Sequence, residues 1–543
     1  MKKSLSNHSQ QWPHFDVAIL LGFWFFSLVW NFDKAFHIDD TAHLEIARWI
    51  AQQPLRPLSG LLSWGNDFEP IYVTNQPPLY FYLMALVATL FGWTEVAMHS
   101  VMAIFSLWAI LVFYRLSRLC FKAHAVWLAA LLALNPAFIL GQNSMVDIPL
   151  LAIWMQFFFF LLSPNQRDGH RLFWASVFCA LALLVKYTSL VLFPILMLHV
   201  LWQRRLVYLF CLLIPISALG LWSIFNLYDF GKAHLIGRAV TPRSIQMYWD
   251  LSVYWVGILG AITPFAGLVF YSKIQLAIQA WVKSVWWLLL LISWGSYCLL
   301  LGWVVLKPQW LALNLALQLT FFSTALGLLV AALQALWQKL IQQQEQTLAN
   351  LTLGYWLFAP ALFLVMFTPF MATRHVLLSL PALILLTCHV ASKHKRLVLC
   401  VAISLSFAIS CLLAAADKWY AEIYRTQATQ IRNQFPNDTI WFNGNHGWQW
   451  YASRLGMSHY SNRLDFKQPM AGDIIIETQT VCCALPLNNK IKLELIEERI
   501  IERSHSVERF ASIMPYSSDL QAWGYSFAAI EKFTIWRVVR RDL

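Results

Sequence analysis

The stretch "NQPPLYFYLMAL" at residues 75–86 decides how the chain is arranged in a membrane, because two prolines open an apolar helix there. If this helix crosses the bilayer, all later loops exchange sides compared with an arrangement in which it lies at the surface. Basic residues distinguish the two arrangements, since Lys and Arg in short loops are concentrated on the cytoplasmic side.

The composition is that of a protein with many membrane-spanning segments. Of the 543 residues, 59% are hydrophobic and only 12% are charged, which lies far from the composition of soluble globular proteins. The net charge of +12 does not indicate nucleic-acid binding, because the basic excess lies in short loops between apolar segments. No nucleic-acid partner is therefore expected.

Fourteen apolar segments follow one another along the first three quarters of the chain. They are residues 16–32, 77–92, 96–115, 125–142, 148–163, 173–186, 188–202, 206–226, 251–272, 284–305, 309–336, 352–370, 376–391 and 397–416. If 77–92 does not cross, the cytoplasmic side holds fifteen basic and three acidic residues upstream of the tail, and the outer side nine and ten. The charge distribution therefore predicts thirteen spans, a cytoplasmic N-terminus and an outward C-terminal tail.

The chain is expected to form two domains. Residues 1–416 make the membrane domain, whose first outer loop, 33–95, carries the amphipathic helix "TAHLEIARWIAQQ" at the membrane surface. Residues 417–543 contain the strand-like runs "DTIWFNG", "GDIIIET" and "FTIWRVV" and the helical "GWQWYASRL", a pattern typical of a small α/β domain. The predicted fold class is an all-α polytopic membrane protein with a C-terminal α/β domain in the periplasm.

Six ionisable residues near the outer ends of apolar segments are candidates for a functional site. They are Asp39, Asp40, Asp147, Lys186, Arg374 and His375. A charge at the centre of a membrane helix costs about 2.5–3.5 kcal/mol on insertion scales, so each needs a partner or a function. Carboxylates suit the deprotonation of a hydroxyl, and cations suit a phosphate leaving group. The set predicts an outward-facing pocket.

Structural roles also explain each of these residues. Asp39 and Asp40 point about 100° apart on a helix, so one acts while the other positions, or both cap the helix that follows. Asp147 also fits a surface loop, Lys186 also fits a side chain that extends to the interface, and Arg374 also fits an interfacial anchor. The residues alone leave these alternatives open.

A metal site has weak support in the same loop. The nearest potential ligands are His37, Asp39 and His43, which do not make up a full set for a transition metal. A divalent metal is therefore not predicted.

The motifs, taken together, resemble those of the GT-C superfamily, the polytopic glycosyltransferases that use lipid-phosphate sugars. "HIDDTAHLEIARWI" resembles the acidic motif that opens the family's first outer loop, and "NQPPLYFYL" resembles its Pro-Pro-Leu stretch. "NSMVDIPLLAIW", "LLVKYTSLVLFP" and "RHVLLSLPAL" are similar to its second-loop Asp, Thr-Lys-Gly and Arg-Tyr segments. The tail "WFNGNHGWQWYASRLG" is similar to that of bacterial members, which include aminoarabinose transferases and relatives of protein O-mannosyltransferases.

The resemblance implies roles for particular residues. Asp39 would be the general base on the acceptor hydroxyl, Asp40 would be its partner in the catalytic motif, and Asp147 would orient a substrate. Lys186 and Arg374, with His375 beside them, would bind the donor phosphate. The remaining substrate-pocket positions would be Asn75, Gln76, Pro77, Pro78, Tyr80 and Tyr187. "NQ" at 75 and 76 replaces the acidic-Lys pair of aminoarabinose transferases, so the donor sugar stays open.

The implied reaction is the transfer of a sugar from undecaprenyl phosphate to a periplasmic glycan, lipid A-like lipid or protein. It would take place at the bacterial inner membrane with inversion at the anomeric carbon. No cofactor is required, because the donor carries its own leaving group. A monomer embedded in membrane lipid is expected.

Two other classes of protein remain as alternatives. A transporter or lipid flippase would use buried charges to line a translocation path, but the sequence has no evident repeat or matching broken helices. A membrane scaffold would use the tail aromatics of "WFNGNHGWQWY" for binding. Acceptor-dependent release of lipid phosphate distinguishes the enzyme from both.

The topology is testable with a reporter enzyme that is active only outside the cytoplasm, fused after Cys120. We expect no activity, because the segment ending there should face the cytoplasm. An active fusion would contradict the surface placement of residues 77–92.

Overall fold

A computed structural model of the chain describes residues 14–64, 67–73, 76–164, 167–236, 243–270, 312–342, 346–387, 396–479, 484–510 and 522–541. The predicted apolar segment 284–305 and the predicted pocket residue Asn75 lie outside these ranges.

The first part of the described chain is helical apart from one short hairpin. Its helices are α1 (His14–Leu28), α2 (Asp39–Gln52), α3 (Leu79–Phe91), α4 (Glu95–Cys120), α5 (Ala125–Ala133), α6 (Pro136–Leu140), α7 (Asp147–Leu162), α8 (Asp168–Val185), α9 (Leu192–Trp202), α10 (Phe210–Phe230), α11 (Ile245–Ala261), α12 (Ala312–Gln342), α13 (Thr347–Phe367), α14 (Thr373–Val376), α15 (Leu380–Thr387) and α16 (Arg396–Gln434). The hairpin pairs β1 (Leu61–Ser63) with β2 (Phe68–Pro70).

The chain is a multi-pass membrane protein. Within the described ranges, six helical segments are long and apolar enough to cross a membrane: Glu95–Cys120, Asp168–Val185, Leu206–Phe230, Ala316–Ile341, Thr347–Phe367 and Leu397–Gln434. Five shorter apolar helices accompany them: His14–Leu28, Leu79–Phe91, Asp147–Leu162, Tyr187–Trp202 and Thr373–Thr387. The count of thirteen spans and the orientation stay predictions.

The helix of the opening stretch, α3, is short. Its 13 residues extend about 20 Å at 1.5 Å per residue, less than the hydrocarbon thickness of about 30 Å. The helix packs mainly on α2, which follows the loop after α1. This length is consistent with the predicted surface placement.

Helices break at polar residues near the site described below. Asn135 accepts a hydrogen bond from the Ala137 amide, and Pro136 follows it as the first residue of α6, which fits the preference for proline at a helix start. α8 ends at Val185, the backbone of the next residue, Lys186, is extended, and a 3₁₀ turn over Tyr187–Val191 precedes α9. A side chain at such a break projects away from its own helix.

The tail has the predicted α/β architecture. Its strands are β3 (Ile440–Asn443), β4 (Ser458–His459), β5 (Ile474–Thr478), β6 (Ile491–Ile501) and β7 (Glu531–Arg541), with α17 (Trp448–Arg454) between β3 and β4. The strand order is β4-β3-β5-β7-β6, parallel across β4, β3 and β5 and antiparallel across β5, β7 and β6.

The predicted domain boundary at 416/417 falls inside a continuous helix. The 39 residues of α16 extend about 58 Å, well beyond one hydrocarbon layer. The helix therefore serves both parts of the chain, and the first strand of the sheet begins only at Ile440. The division into two domains stays a prediction.

A buried ion pair ties the first outer loop to α16. The Lys34 ammonium, which is fully buried, donates to Asp417 at 2.9 Å and also to the side-chain oxygen of Asn143. The His37 imidazole lies 3.1 Å from the other oxygen of Asp417. Every charge in this cluster has a partner, which a buried charge requires.

Replacing Lys34 by Met should lower the free energy of unfolding by about 3–5 kcal/mol, because Asp417 would lose its buried cation. The matched control is Lys418→Met, which removes a partly exposed pair with Asp33 and should cost about 1 kcal/mol or less. Denaturant unfolding in detergent micelles measures both. Equal losses in the two variants would contradict the assigned role of Lys34.

Candidate active site

A cavity of about 630 Å³ lies between the first outer loop and the helices that follow it. The loop contributes residues of α2 and of the hairpin, and the far wall comes from the segments around 147, 187 and 370. Its charged and polar lining consists of Asp39, His43, Glu69, Gln76, Asp147, Lys186, Tyr187, Thr188, Arg243, Thr368, Arg374 and His375. Five of the six predicted ionisable site residues thus share one cavity.

Four of these residues form a chain of alternating charge. The Lys186 ammonium lies 2.8 Å from one oxygen of Asp147, and the Arg374 Nε lies 3.5 Å from the other. The Arg374 Nη2 lies 2.5 Å from an oxygen of Asp39. We call this set the charge chain. It joins positions that are up to 335 residues apart in sequence.

The backbone of each element explains these positions. Asp39 and Asp147 are the first residues of α2 and α7, where the positive end of the helix favours a carboxylate. Lys186 projects from the break after α8, and Arg374 belongs to the short helix α14. The side chains of Asp147 and Arg374 are 4% and 7% exposed, whereas that of Asp39 is 24% exposed. Asp39 is therefore the more accessible of the two carboxylates in the charge chain.

Asp40 faces away from the cavity. Its carboxylate is fully buried and accepts a hydrogen bond from the His37 backbone amide at 3.3 Å. The adjacent residues diverge because consecutive side chains on a helix are about 100° apart. The predicted catalytic role of Asp40 has no support in this geometry, since a fully buried carboxylate does not contact a substrate.

The other predicted pocket residues divide into two groups. Gln76 and Tyr187 line the cavity, and the Tyr187 hydroxyl is held by Trp222 Nε1 at 2.9 Å. The remaining residues are buried beside it and do not line it: Pro77, Pro78 and Tyr80. The prolines shape the start of α3, so their contribution is indirect.

Several lining residues were not predicted from the sequence. Arg243 adds a third cation, and its guanidinium donates to the Val365 carbonyl at 3.1 Å near the end of α13. Trp64 and Glu69 come from the hairpin of the first loop. An isolated Arg, Trp or Glu in a polar loop carries no distinguishing pattern, so only the fold reveals these positions.

An apolar region adjoins the cations. It consists of Leu190, Leu235, Phe363, Met366, Phe367 and Phe370. Cations beside an apolar wall suit a ligand with an anionic head and a hydrocarbon chain.

Electrostatics keep the exposed carboxylate ionised. Burial is the largest single influence on Asp39 and opposes its charge, but the neighbouring positive groups, of which the Arg374 guanidinium is the strongest, together lower the pKa of that carboxyl below its ordinary value. Burial lowers the pKa of His43, and it lowers that of His446, a neighbour of Asp39 from the tail, to about 4. Both imidazoles are therefore neutral at pH 7.

No metal centre is found in the described ranges, where no three His, Cys, Asp or Glu side chains converge as ligands. His37 turns to Asp417, His43 lies 3.3 Å from the Ser144 carbonyl, and Asp39 faces the cavity. These three residues therefore do not point toward one common metal position.

Comparison with known proteins identifies the fold. The crystal structure of ArnT from Cupriavidus metallidurans bound to undecaprenyl phosphate superposes with a TM-score of 0.50 at 12% identity, covering 86% of this chain and 92% of that one. The chain has the GT-C fold, as the resemblance of its sequence motifs predicted.

A family model and two further structures are also similar. Residues 75–228 match the model described as dolichyl-phosphate-mannose-protein mannosyltransferase. Archaeal oligosaccharyltransferase AglB from Archaeoglobus fulgidus, in complex with an inhibitory peptide and a dolichol-phosphate, gives a TM-score of 0.47 at 12% identity, covering 86% and 69%. Arabinofuranosyltransferase AftD from Mycobacteria gives 0.42 at 11%, covering 98% and 42%. The curated proteins searched contain no match to the chain.

Proposed function

We propose that the chain is an inner-membrane glycosyltransferase that moves a sugar from a polyprenyl phosphate to an acceptor on the periplasmic side. The observation that carries the proposal is the shared cavity, where three carboxylates and several cations lie beside an apolar wall. The GT-C fold and the lipid phosphates named with ArnT and AglB support it. The acceptor class, whether glycan, lipid A-like lipid or protein, stays open.

Asp39 is assigned the role of general base because it is the more exposed of the two carboxylates in the charge chain and is ionised. The Asp39 oxygen that does not contact Arg374 accepts the proton of the acceptor hydroxyl, while the hydroxyl oxygen attacks the anomeric carbon of the donor sugar. The bond between this carbon and the phosphate oxygen breaks, its electron pair leaves with the polyprenyl phosphate, and the configuration inverts.

Lys186 and Arg374 are assigned the phosphate of the donor. Both can donate charge-assisted hydrogen bonds to phosphate oxygens, and Arg can do so with two parallel bonds. His375 lines the same cavity, and the apolar wall takes the first part of the lipid chain. A phosphate at Arg374 also draws that cation away from Asp39, which raises the pKa of the carboxyl and makes it a better base.

Asp147 is assigned a positioning role. Its carboxylate contacts both Lys186 and Arg374, so it holds the two donor-binding cations in one place. The reaction needs no cofactor, because the lipid phosphate is itself the leaving group.

Asp39→Asn should lower the rate of sugar transfer by about 10²-fold or more, because the amide accepts no proton from the acceptor. The assay follows release of polyprenyl phosphate from labelled polyprenyl-phosphate sugars by the purified chain in nanodiscs. Lipopolysaccharide, oligosaccharides and a Ser/Thr peptide serve as acceptors.

The matched control for this variant is Asp33→Asn, which changes an exposed acid of the same loop paired with Lys418. It should retain nearly full activity. Full activity in Asp39→Asn would reject the assignment of Asp39 as the base. If the wild-type chain releases no lipid phosphate with any of the three acceptors, the enzyme proposal is rejected and a transporter or flippase is favoured.

The pH dependence of kcat/KM for the donor should report the pKa of Asp39 in the free enzyme. Since Arg374 lowers this pKa, the ionised base persists as the pH falls, and activity should decline only near or below pH 4. Arg374→Gln removes the cation, so the acidic limb of the pH profile, where activity falls as Asp39 is protonated, should move to higher pH. Arg374→Lys keeps a cation and should move this limb less. An unchanged limb in Arg374→Gln would contradict the ion pair.

A further inference from the structure

The residue before Asp39 has an unusual backbone conformation. In the described ranges, three non-glycine residues have positive φ: Ile38 at 50°, Arg204 at 52° and His446 at 56°. A branched residue such as Ile rarely adopts this region. Ile38 and His446 are joined directly, because the Ile38 amide donates to the His446 carbonyl at 3.0 Å. The strained residue beside the assigned base is thus held by the tail.

The tail backbone lies against the same segment. Gly447 has a φ of 118°, and a Cβ there would lie 3.0 Å from the Tyr424 ring, 3.1 Å from the Phe36 carbonyl oxygen and 3.2 Å from the His37 Cα. Only glycine fits this close approach without displacing backbone atoms. We call residues 444–447 the tail loop.

Helix α17 extends these contacts on both sides of Asp39. The Phe36 amide donates to the Tyr451 hydroxyl at 2.8 Å, and the Gln449 amide group donates to the Thr41 hydroxyl at 2.9 Å. The Phe36 and Trp450 rings meet edge to face at 5.7 Å. Residues 36–41 therefore have tail partners before, at and after the strained Ile38.

The tail loop also reaches the cavity wall. The His446 ring lies 4.8 Å from the ring of Trp64, which lines the cavity. The hairpin that carries Trp64 is fixed by the tail as well, because Asp67 accepts from the Ser461 hydroxyl and the Asn462 amide. The contacts converge on the side of the cavity where Asp39 lies.

We propose that the tail loop is a positioning element for the catalytic base: its backbone holds Ile38 in the positive-φ conformation that aims Asp39 at Arg374 and the cavity. This inference rests on the proposed function. Without the hydrogen bond from its amide to the His446 carbonyl, Ile38 would relax to negative φ, and the Asp39 carboxylate would turn away from the acceptor. The donor cations, Lys186 and Arg374, come from other elements and would still bind the lipid phosphate.

The test compares Gly447→Ala with Gly472→Ala in the full chain in nanodiscs. Both glycines have positive φ, but a Cβ at Gly472 meets nothing within 4 Å, so the control carries backbone strain without the close contact. Gly447→Ala should lower kcat by about 10²-fold, as expected for a misplaced base, with the affinity for polyprenyl phosphate unchanged. The acidic limb of the pH profile of kcat/KM should also move to higher pH in this variant, because Asp39 would lie farther from Arg374. Gly472→Ala should change none of these.

Hydrogen exchange of residues 36–41 provides a readout that does not depend on activity. It should be faster in Gly447→Ala and unchanged in Gly472→Ala. Unchanged hydrogen exchange in Gly447→Ala would overturn the positioning role. So would a kcat of Gly447→Ala equal to that of the wild type, provided that the wild-type transfer depends on Asp39. If the wild-type chain is inactive but exchange is still faster in Gly447→Ala, the transferase proposal is rejected, whereas the structural role of the tail loop in holding residues 36–41 is supported.

Two further variants separate the backbone from the side chains. His446→Asn keeps a residue that tolerates positive φ and should retain most of kcat; a loss equal to that of Gly447→Ala would show that the imidazole carries the effect and overturn the proposal. If Gly447→Ala does not fold, Tyr451→Phe removes only the hydroxyl that accepts from Phe36. It should lower kcat without weakening phosphate binding, and an unchanged kcat would count against the positioning role of the tail.

Discussion

The alternating contacts of Lys186, Asp147, Arg374 and Asp39 are the constraint on which the rest of the structure depends. Charges taken from water are tolerated only when each has a close partner of opposite sign. Here the partners come from four separate elements, so the packing of the first loop, α7, the α8 break and α14 must be correct together. The same arrangement places the proposed base and the proposed phosphate-binding pair in one cavity.

The sequence predicted all four members of the charge chain, because ionisable residues among apolar segments need partners. Asp39, Asp147, Lys186, Arg374 and His375 were all found by this criterion, and all line the cavity. Asp40 was not separated from Asp39, because adjacency fixes the angle between two side chains and not which of them faces inward. The α/β architecture of the tail was predicted from alternating strands and one short helix.

Other features required the fold. Arg243 and Trp64 lie in loops, where local sequence does not determine which residues meet. The continuity of α16 past residue 416 was also missed, because hydropathy falls there although the helix does not end. The positive φ of Ile38 had no signal in the sequence, because a branched residue disfavours that angle and adopts it only when a tertiary contact holds it there.

The tail contacts the first outer loop directly. Asp417 in α16 binds Lys34 and His37, and the loop around His446 holds Ile38. Strain of about 1–3 kcal/mol at such a residue persists only when its surroundings fix it. The tail supplies these surroundings, which links a soluble-type sheet to the geometry of a carboxylate near the membrane.

The most direct measurement is a cryo-EM structure of the chain in nanodiscs with a polyprenyl phosphate. The account predicts phosphate oxygens about 3 Å from the Lys186 ammonium and the Arg374 guanidinium, with the lipid chain along Phe363 and Phe367 and a free oxygen of Asp39 facing the cavity. Phosphate density elsewhere, with the charge chain unchanged and the cavity occupied by another group, would contradict it.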